Sequence, residues 1–252
     1  MKNDSIENKN EYKEFYTEES SVYQRKRYET LYGKIFKTLH HNILAEVLKP
    51  LKKNDLVLEV ACGTGHTSIL LAELECNLIS CDLTPAMMQH AKQRVANMPV
   101  QPLFVEADAK ILPFADNSID WVVSTRFLHL FPYEIQVEVL TEMLRVLKPN
   151  GKIIVDFDNW SSRWLLALPF LMYNLVRYQR IAPYSFYNKI SKTKEILSQL
   201  NASVDNVIGV GGVQLVLAGF FSKSLAVKLG HFHRKPPLRF LAEQFIVFAH
   251  KL

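Results

Sequence analysis

The chain has 252 residues, 48% of them apolar and 22% charged, with 30 Lys and Arg against 25 Asp and Glu. That balance fits one α/β domain with additions and excludes a disordered or fibrous chain. The net charge of +5 is unevenly spread: residues 1–53 carry 11 basic and 8 acidic side chains, residues 54–159 carry 7 and 14, and residues 160–252 carry 12 and 3. An acidic middle followed by a basic last third points to two surfaces that meet two kinds of partner. The first fifteen residues, MKNDSIENKNEYKEF, contain no apolar leader core. No apolar run reaches the roughly 18–20 residues that span a bilayer, so the expectation is a cytoplasmic protein. Cys62, Cys76 and Cys81 form no CxxC pair and have no metal-type companions, which reads as reduced thiols used in packing.

Residues 1–20 are expected to be loosely ordered. From Val22 to Leu48, Tyr28, Leu31, Tyr32, Ile35, Leu39, Ile43, Leu44 and Val47 recur at helical spacing, predicting one or two amphipathic helices. Leu56–Val60 then reads as a buried strand, Thr67–Leu74 as a helix and Leu78–Asp82 as a second strand. Thr84 and Pro85 supply an N-cap and first residue for a helix to about Ala96. Strands follow at Leu103–Ala107 and Asp120–Ser124, and a helix at Tyr133–Leu147 is closed by Lys148-Pro149-Asn150-Gly151. Lys152–Phe157 is a fifth strand. Beyond it come an aromatic, acid-free stretch, a helix at Thr193–Leu200, and strands at Val204–Val210 and Gln244–His250 around an irregular basic segment, Lys223–Arg239. The alternation predicts a Rossmann-like, doubly wound, seven-stranded sheet, mostly parallel, with the last strand antiparallel and a hairpin-like finish at one edge. The expected divisions are a helical cap (1–53), a nucleotide-type core (54–158), a cap insertion (159–192) and the completion of the sheet (193–252).

The site is announced by Leu56-Val-Leu-Glu-Val-Ala-Cys-Gly-Thr-Gly65, a strand running into a glycine pair and then a helix. Asp82, 19 residues after Gly63 at the next strand end, is placed to accept ribose hydroxyls. The dinucleotide fingerprint is incomplete because Ser68 stands at its third glycine, and Glu59 would repel a pyrophosphate while favouring an ammonium or sulfonium ligand. Walker A is excluded, since no GK[ST] follows.

From Leu56 to Phe157 the chain resembles the class I S-adenosylmethionine-dependent methyltransferases, near the ubiquinone/menaquinone-biosynthesis subgroup. The matching segments are Glu59-Val-Ala-Cys-Gly-Thr-Gly65, Cys81-Asp-Leu-Thr-Pro-Ala-Met-Met88, Glu106-Ala-Asp-Ala109 with Leu112-Pro-Phe114, Asn117-Ser-Ile-Asp-Trp121, and Leu144-Arg-Val-Leu-Lys-Pro-Asn-Gly151. The resemblance implies S-adenosyl-L-methionine as cofactor. Glu59, Ala61, Gly63 and Gly65 would lie along its methionine portion and Asp82 at the ribose. Leu83, Met87, Asp108 and Ala109 would meet the adenine, and Thr125 the methyl-donor end. Arg126 would lie beside them on the substrate side. His129 is the one weak candidate for a catalytic base, set against the ordinary reading of a packed interior histidine. No metal cluster, HExxH or Ser/His/Asp set is visible, as suits a displacement that mainly needs orientation.

The acceptor is expected to be a small or lipid-like molecule, with Tyr23, Arg27, Tyr28, Trp160 and Trp164 as further substrate-side candidates. Residues 160–187 read either as a buried cap or as a surface for peripheral membrane contact. No nucleic-acid recognition module is visible, so nucleic acid is set aside as a partner. Two other readings stay open: a non-catalytic module that keeps the fold to bind a partner or membrane surface, and a nucleotide-dependent oxidoreductase, which Ser68 disfavours.

Overall fold

The computed structural model describes residues 9–162, 186–212 and 214–252. Helix α1 (Lys9–Tyr28) and α2 (Leu31–Val47) precede β1 (Leu56–Val60), α3 (His66–Glu73), β2 (Asn77–Asp82), α4 (Pro85–Val95), β3 (Leu103–Glu106) and β4 (Ile119–Ser124). Then come α5 (Tyr133–Val146), β5 (Leu147–Asn159), the two-residue β6 (Tyr187–Asn188), α6 (Ile190–Gln199) and β7 (Ala202–Val210). The chain finishes with α7 (Gln214–Phe221), α8 (Lys223–Gly230), two short 3-10 turns and β8 (Gln244–Lys251).

The main sheet runs β3-β2-β1-β4-β5-β8-β7, with β6 attached to β5. Pairing is parallel from β3 to β5 and antiparallel on both sides of β8. The antiparallel final strand is as expected, but it is inserted between β5 and β7, so β7 forms the edge. The backbone of β8 is thereby paired on both sides, and its Phe245 stacks on Phe157 of β5 at 5.6 Å.

Successive strand residues face opposite ways, which divides the core into two layers. Leu58, Val122, Ile153, Val155, Phe157 and Val247 pack with Val139, Leu140 and Met143 of α5 and Ile196 and Leu197 of α6. Val57, Val123, Ile154, Ile208 and Ile246 pack with Ile35, Phe36, Leu39, Ile43 and Leu44 of α2 and with Leu70 and Leu71 of α3. These are buried strands with apolar residues on both faces, the arrangement a covered parallel sheet requires. Thr30 caps α2 by accepting the Gly33 N–H at 3.0 Å.

Three sequence expectations are corrected. Residues 9–20 are helical, as the first part of α1. Helix α5 stops at Val146, next to the expected stop signal Lys148–Gly151, but β5 begins at Leu147 rather than Lys152: Leu147 pairs with Ile119, and Asn150 has φ 62°. Lys223–Arg239 is largely ordered, with Ser222 capping α8 through the Leu225 N–H. The three cysteines are free and buried, and burial pushes their thiols upward, in keeping with a packing role.

Candidate functional site

A cavity of about 500 Å³ opens at the C-terminal ends of β1, β2, β3 and β4, the edge at which ligands bind in open α/β sheets. The strand ends contribute Val60, Ala61 and Gly63, then Asp82, Leu83, Thr84 and Met87, then Ala107, Asp108, Ala109 and Lys110. Arg126, Phe127, Leu130, Phe131, Ile135 and Phe186 close the far wall, and Lys9, Tyr12, Tyr16 and Tyr23 of α1 close the mouth.

The turn after β1 is built from left-handed backbone: Ala61 has φ 59°, Gly63 φ 52° and Gly65 φ 80°. Asp82 holds it from the neighbouring strand. One carboxylate oxygen accepts the Gly63 N–H at 2.8 Å and the other the Thr84 N–H at 2.8 Å. Thr84 occupies the N-cap position of α4, but its side chain makes no cap bond; its own N–H is fixed by the carboxylate of Asp82. A carboxylate offers about four lone-pair directions, so Asp82 braces the loop and keeps acceptor capacity for a ligand in the cavity it lines.

Glu59 and Gly65 lie behind this loop, outside the cavity lining. Glu59 is 2% exposed, and one of its oxygens accepts both Ser68 Oγ at 2.6 Å and Ser80 Oγ at 2.7 Å. Burial raises its pKa to about 7 against those two hydrogen bonds, with Asp82 adding to the rise. Ser68, the departure from the dinucleotide fingerprint, thus has a structural use as the donor from α3 to Glu59. Gly65 begins α3, where its backbone lies against Ala91 of α4. Thr125 is engaged with Thr67 at 2.7 Å between hydroxyls and also lies outside the lining.

Arg126 follows with φ 58°. Its N–H donates to Asp156 Oδ1 at 2.7 Å, while Asp156 Oδ2 lies 3.1 Å from His40 Nε2. The guanidinium carbon sits 5.1 Å from the Phe36 ring centroid. Its Nε is buried without a hydrogen-bond partner, and no described carboxylate forms an ion pair with it. Burial opposes its charge, yet Tyr28, Tyr23, Asp158 and Asp156 nearby raise its pKa overall.

Among the remaining candidates, Tyr23 reaches the cavity, with the Arg27 guanidinium 4.9 Å above its ring. Tyr28 is buried and lies against His66, ring centroids 4.0 Å apart. His129 is 3% exposed, with Nδ1 unpartnered, and burial lowers its pKa. Arg27, Tyr28 and His129 are not among the lining residues. Trp160 carries Lys189 Nζ 4.5 Å over its ring, also away from the lining. Trp164 and most of the 160–187 segment lie outside the described residues.

The structure adds Lys9, Tyr12 and Tyr16, which were in the stretch expected to be loose. Tyr12 donates to the Leu130 carbonyl at 3.2 Å, Lys9 pairs with Asp108 at 3.0 Å, and Lys13 pairs with Glu106. These bonds lay α1 across the ends of β3 and the turn after β4. The spacing of Tyr12, Tyr16 and Tyr23, four then seven residues, is the helical signal that marks this face. Among the described residues no cluster of His, Cys, Asp and Glu could hold a metal.

Residues 57–151 match the family model of a methyltransferase domain. Over 105 residues the chain is 37% identical to the demethylmenaquinone methyltransferase of Beutenbergia cavernae, covering 41% of each chain. It spans between 35% and 56% of the length of the curated relatives it matches. Among solved structures it resembles the magnesium protoporphyrin IX methyltransferase of Synechocystis with bound S-adenosylhomocysteine, with TM-score 0.67 and 16% identity over 97% of this chain and 99% of that one. It also resembles the [4+2]-cyclase SpnF, with TM-score 0.57 and 15% identity over 84% of this chain and 80% of that one. At those identities the structural likeness establishes the fold. The ordered motifs from Glu59 to Gly151 and the domain match identify residues 57–151 as a methyltransferase domain, on a fold shared with solved S-adenosylmethionine-dependent methyltransferases.

Proposed function

We propose that this chain transfers a methyl group from S-adenosylmethionine to a small, lipophilic acceptor. The observation that carries the reading is the cavity at the strand ends, with the Gly63 turn and the Asp82 carboxylate in one wall and aromatic side chains in the others. The residues fit that cofactor. A Cβ built on Gly63 would find only Met87 Cε within reach, at 3.8 Å, so the glycine leaves room at the turn. Leu83, Met87 and Ala107 are suited to a flat base, and Asp82 and Asp108 to hydroxyl or amino donors and to a cationic ligand. Bound there, S-adenosylmethionine would supply an electrophilic methyl group on a positively charged sulfur.

The protein's own contribution is orientation and exclusion of water. Asp82 ties the loop after β1 to the start of α4, so the cofactor wall is rigid before a ligand arrives. The tyrosines of α1 cover the mouth, and Phe127, Phe131 and Phe186 give the acceptor side an apolar lining. Arg126 is the cation on that side, fitted to an anionic oxygen of the acceptor. No general base is assigned: His129 is buried outside the cavity lining, so the acceptor would have to be acidic enough to lose its proton to solvent. The relative's name suggests a quinol-type acceptor as the first to test, and the segment 160–187 remains a candidate cover for it.

Titration calorimetry with S-adenosylhomocysteine tests the cofactor assignment. Asp82→Ala is expected to weaken binding at least about tenfold, or ~1.4 kcal/mol, and unchanged affinity would refute the site. Because the fold also serves a cyclase, turnover must be read separately. Transfer of labelled methyl from S-adenosylmethionine to demethylmenaquinone or a shorter-chain analogue supports the reading. Cofactor binding without transfer to any lipophilic acceptor favours a non-catalytic or non-methylating use of the same pocket.

A further inference from the structure

Ile111 and Leu103 stand exposed elsewhere, but among the described residues most of the exposed large apolar side chains fall in the last quarter of the chain, outside the cavity lining. Phe220 and Phe221 at the end of α7 are 73% and 88% exposed, and Phe232 just after α8 is 64% exposed. Leu225 and Leu229 of α8 and Phe240 of the following turn are exposed as well. Leu225, Leu229 and Phe232 recur at spacings of four and three along α8 and its 3-10 continuation, so they share one side. The opposite side is inward: Ala226 and Gly230 are buried, and Gly230 sits so close to Leu39 of α2 that a Cβ would lie 2.7 Å from its methyl groups. This short helix is therefore anchored by its small residues and turns its large ones to solvent. An ordinary soluble surface scatters such residues singly rather than grouping them.

Along this stretch the chain's own charges have one sign, with Glu46 of α2 the acid that Arg234 and Lys235 face. Between Asp205 and Glu243 there is no acidic residue, while Lys223, Lys228, Arg234, Lys235 and Arg239 are basic. Arg234 is paired with Glu46, and Arg239 donates to the Val207 carbonyl at 2.6 Å. Lys223, Lys228 and Lys235 are exposed and form no ion pair among the described residues. Aromatic and leucine side chains projecting beside exposed lysines, on a helix fixed from behind, form the pattern of an interfacial contact with anionic lipid. No helix among the described residues is long and apolar enough to cross a membrane, so any contact made by them would be peripheral.

We propose that the α7–α8 surface, centred on Phe221, Leu229 and Phe232 and flanked by Lys223, Lys228 and Lys235, docks this protein on an anionic membrane. The phenyl and leucine groups enter the headgroup boundary, and the lysines meet lipid phosphates. This surface is separate from the cofactor cavity and does not depend on the identity of the acceptor. It is also a different stretch of chain from residues 160–187, which the sequence alone reads either as a buried cap or as a membrane-contacting surface.

Co-sedimentation of the full chain with vesicles tests the proposal. Vesicles of phosphatidylcholine with 30% phosphatidylglycerol (roughly the anionic content at which such attraction operates) are expected to bind the protein at 50 mM salt (on the order of low ionic strength). Pure phosphatidylcholine vesicles are expected to bind it far less. Removing the three lysines together as K223A/K228A/K235A should weaken binding about a hundredfold, at about fivefold per charge, and F221S/F232S should reduce it at every salt concentration. Both variants change exposed positions, and unchanged S-adenosylhomocysteine affinity and thermal midpoint certify the fold. No binding to anionic vesicles, or binding that both variants retain, overturns the proposal; retention with loss on W160S/W164S would assign the contact to the other segment. A dimer in solution that the phenylalanine variant dissociates would equally overturn it, by assigning the surface to a second copy of the chain.

Discussion

Gly63 and Gly65 have the same local conformation but opposite surroundings, and the contrast predicts opposite phenotypes. Both have positive φ, 52° and 80°, so alanine at either costs about 1–2 kcal/mol of backbone strain. A Cβ on Gly65 would also lie 2.8 Å from both Cα and Cβ of Ala91. The clash is with backbone, so α3 and α4 must separate, an overpacking cost of about 1–3 kcal/mol. Gly65→Ala should therefore destabilise by about 2–5 kcal/mol, a large share of a typical domain's 5–15. A Cβ on Gly63 meets only Met87 Cε at 3.8 Å, so Gly63→Ala costs the strain alone. Its methyl group instead takes up space in the cavity. Urea melts and calorimetry on the two variants separate the effects. At a slope of about 3 kcal/mol/M, Gly65→Ala lowers the midpoint by about 1 M, while its folded fraction keeps most of its affinity for S-adenosylhomocysteine. Gly63→Ala melts closer to the parent and loses most of the affinity. Equal midpoints, or a larger loss of stability in Gly63→Ala, would refute this account of the loop.

Two buried groups give opposed pH dependences. His66 is held neutral, its pKa lowered to about 2 chiefly by burial, with Lys37 and Arg94 adding to it; its contribution to stability is lost as pH falls below the unfolded value near 6.5, by up to about 1.4 kcal/mol per unit. Glu59 binds its proton more tightly when folded, with a pKa of about 7, so its contribution is present below about 4.5 and is lost as pH rises to 7. The two offset one another between roughly pH 4.5 and 6.5, and Glu59→Gln should expose a steeper acid loss in urea melts; an unchanged slope would count against the buried Glu59 assignment. Arg126→Met removes a buried cation whose charge Tyr28, Tyr23, Asp158 and Asp156 favour without a direct ion pair among the described residues, so stability should fall by less than the about 3–5 kcal/mol of breaking a buried pair, while methyl transfer to the acceptor falls as well; an unchanged or raised melt would refute that those groups hold the cation. Tyr16→Ala uncovers the mouth of the cavity from a helix tied down by exposed ion pairs of little strength. Its melt should be nearly unchanged and its S-adenosylhomocysteine affinity at least about fivefold weaker (~1 kcal/mol), and equal affinity would show that α1 does not cover the ligand.

The cofactor half was readable in the chain because its signals are local. A five-residue apolar strand, two glycines at a tight reversal and an acid at the next strand end act over short distances, and Gly63 and Asp82 do meet, at 2.8 Å. The alternation of strands and helices likewise carries the doubly wound sheet. The rest depends on groups far apart in sequence. That Glu59 is held by Ser68 and Ser80 rather than facing the cavity follows from the register of β1 on β2 and the seat of α3. That β8 enters between β5 and β7 is a pairing across some 90 residues with no local cue. The α1 segment looks loose by composition, because a polar helix of marginal intrinsic stability is defined by what it lies against. Tyr12 and Tyr16 become wall residues only when Leu130, Asp108 and Glu106 are brought beneath them. Of the acidic block, Asp82, Asp108 and Glu134 reach the cavity, where Lys9, Lys110 and Arg126 stand against them. Within the basic third, only packing distinguishes Ala226 and Gly230, turned inward, from Phe221, Leu229 and Phe232, turned out.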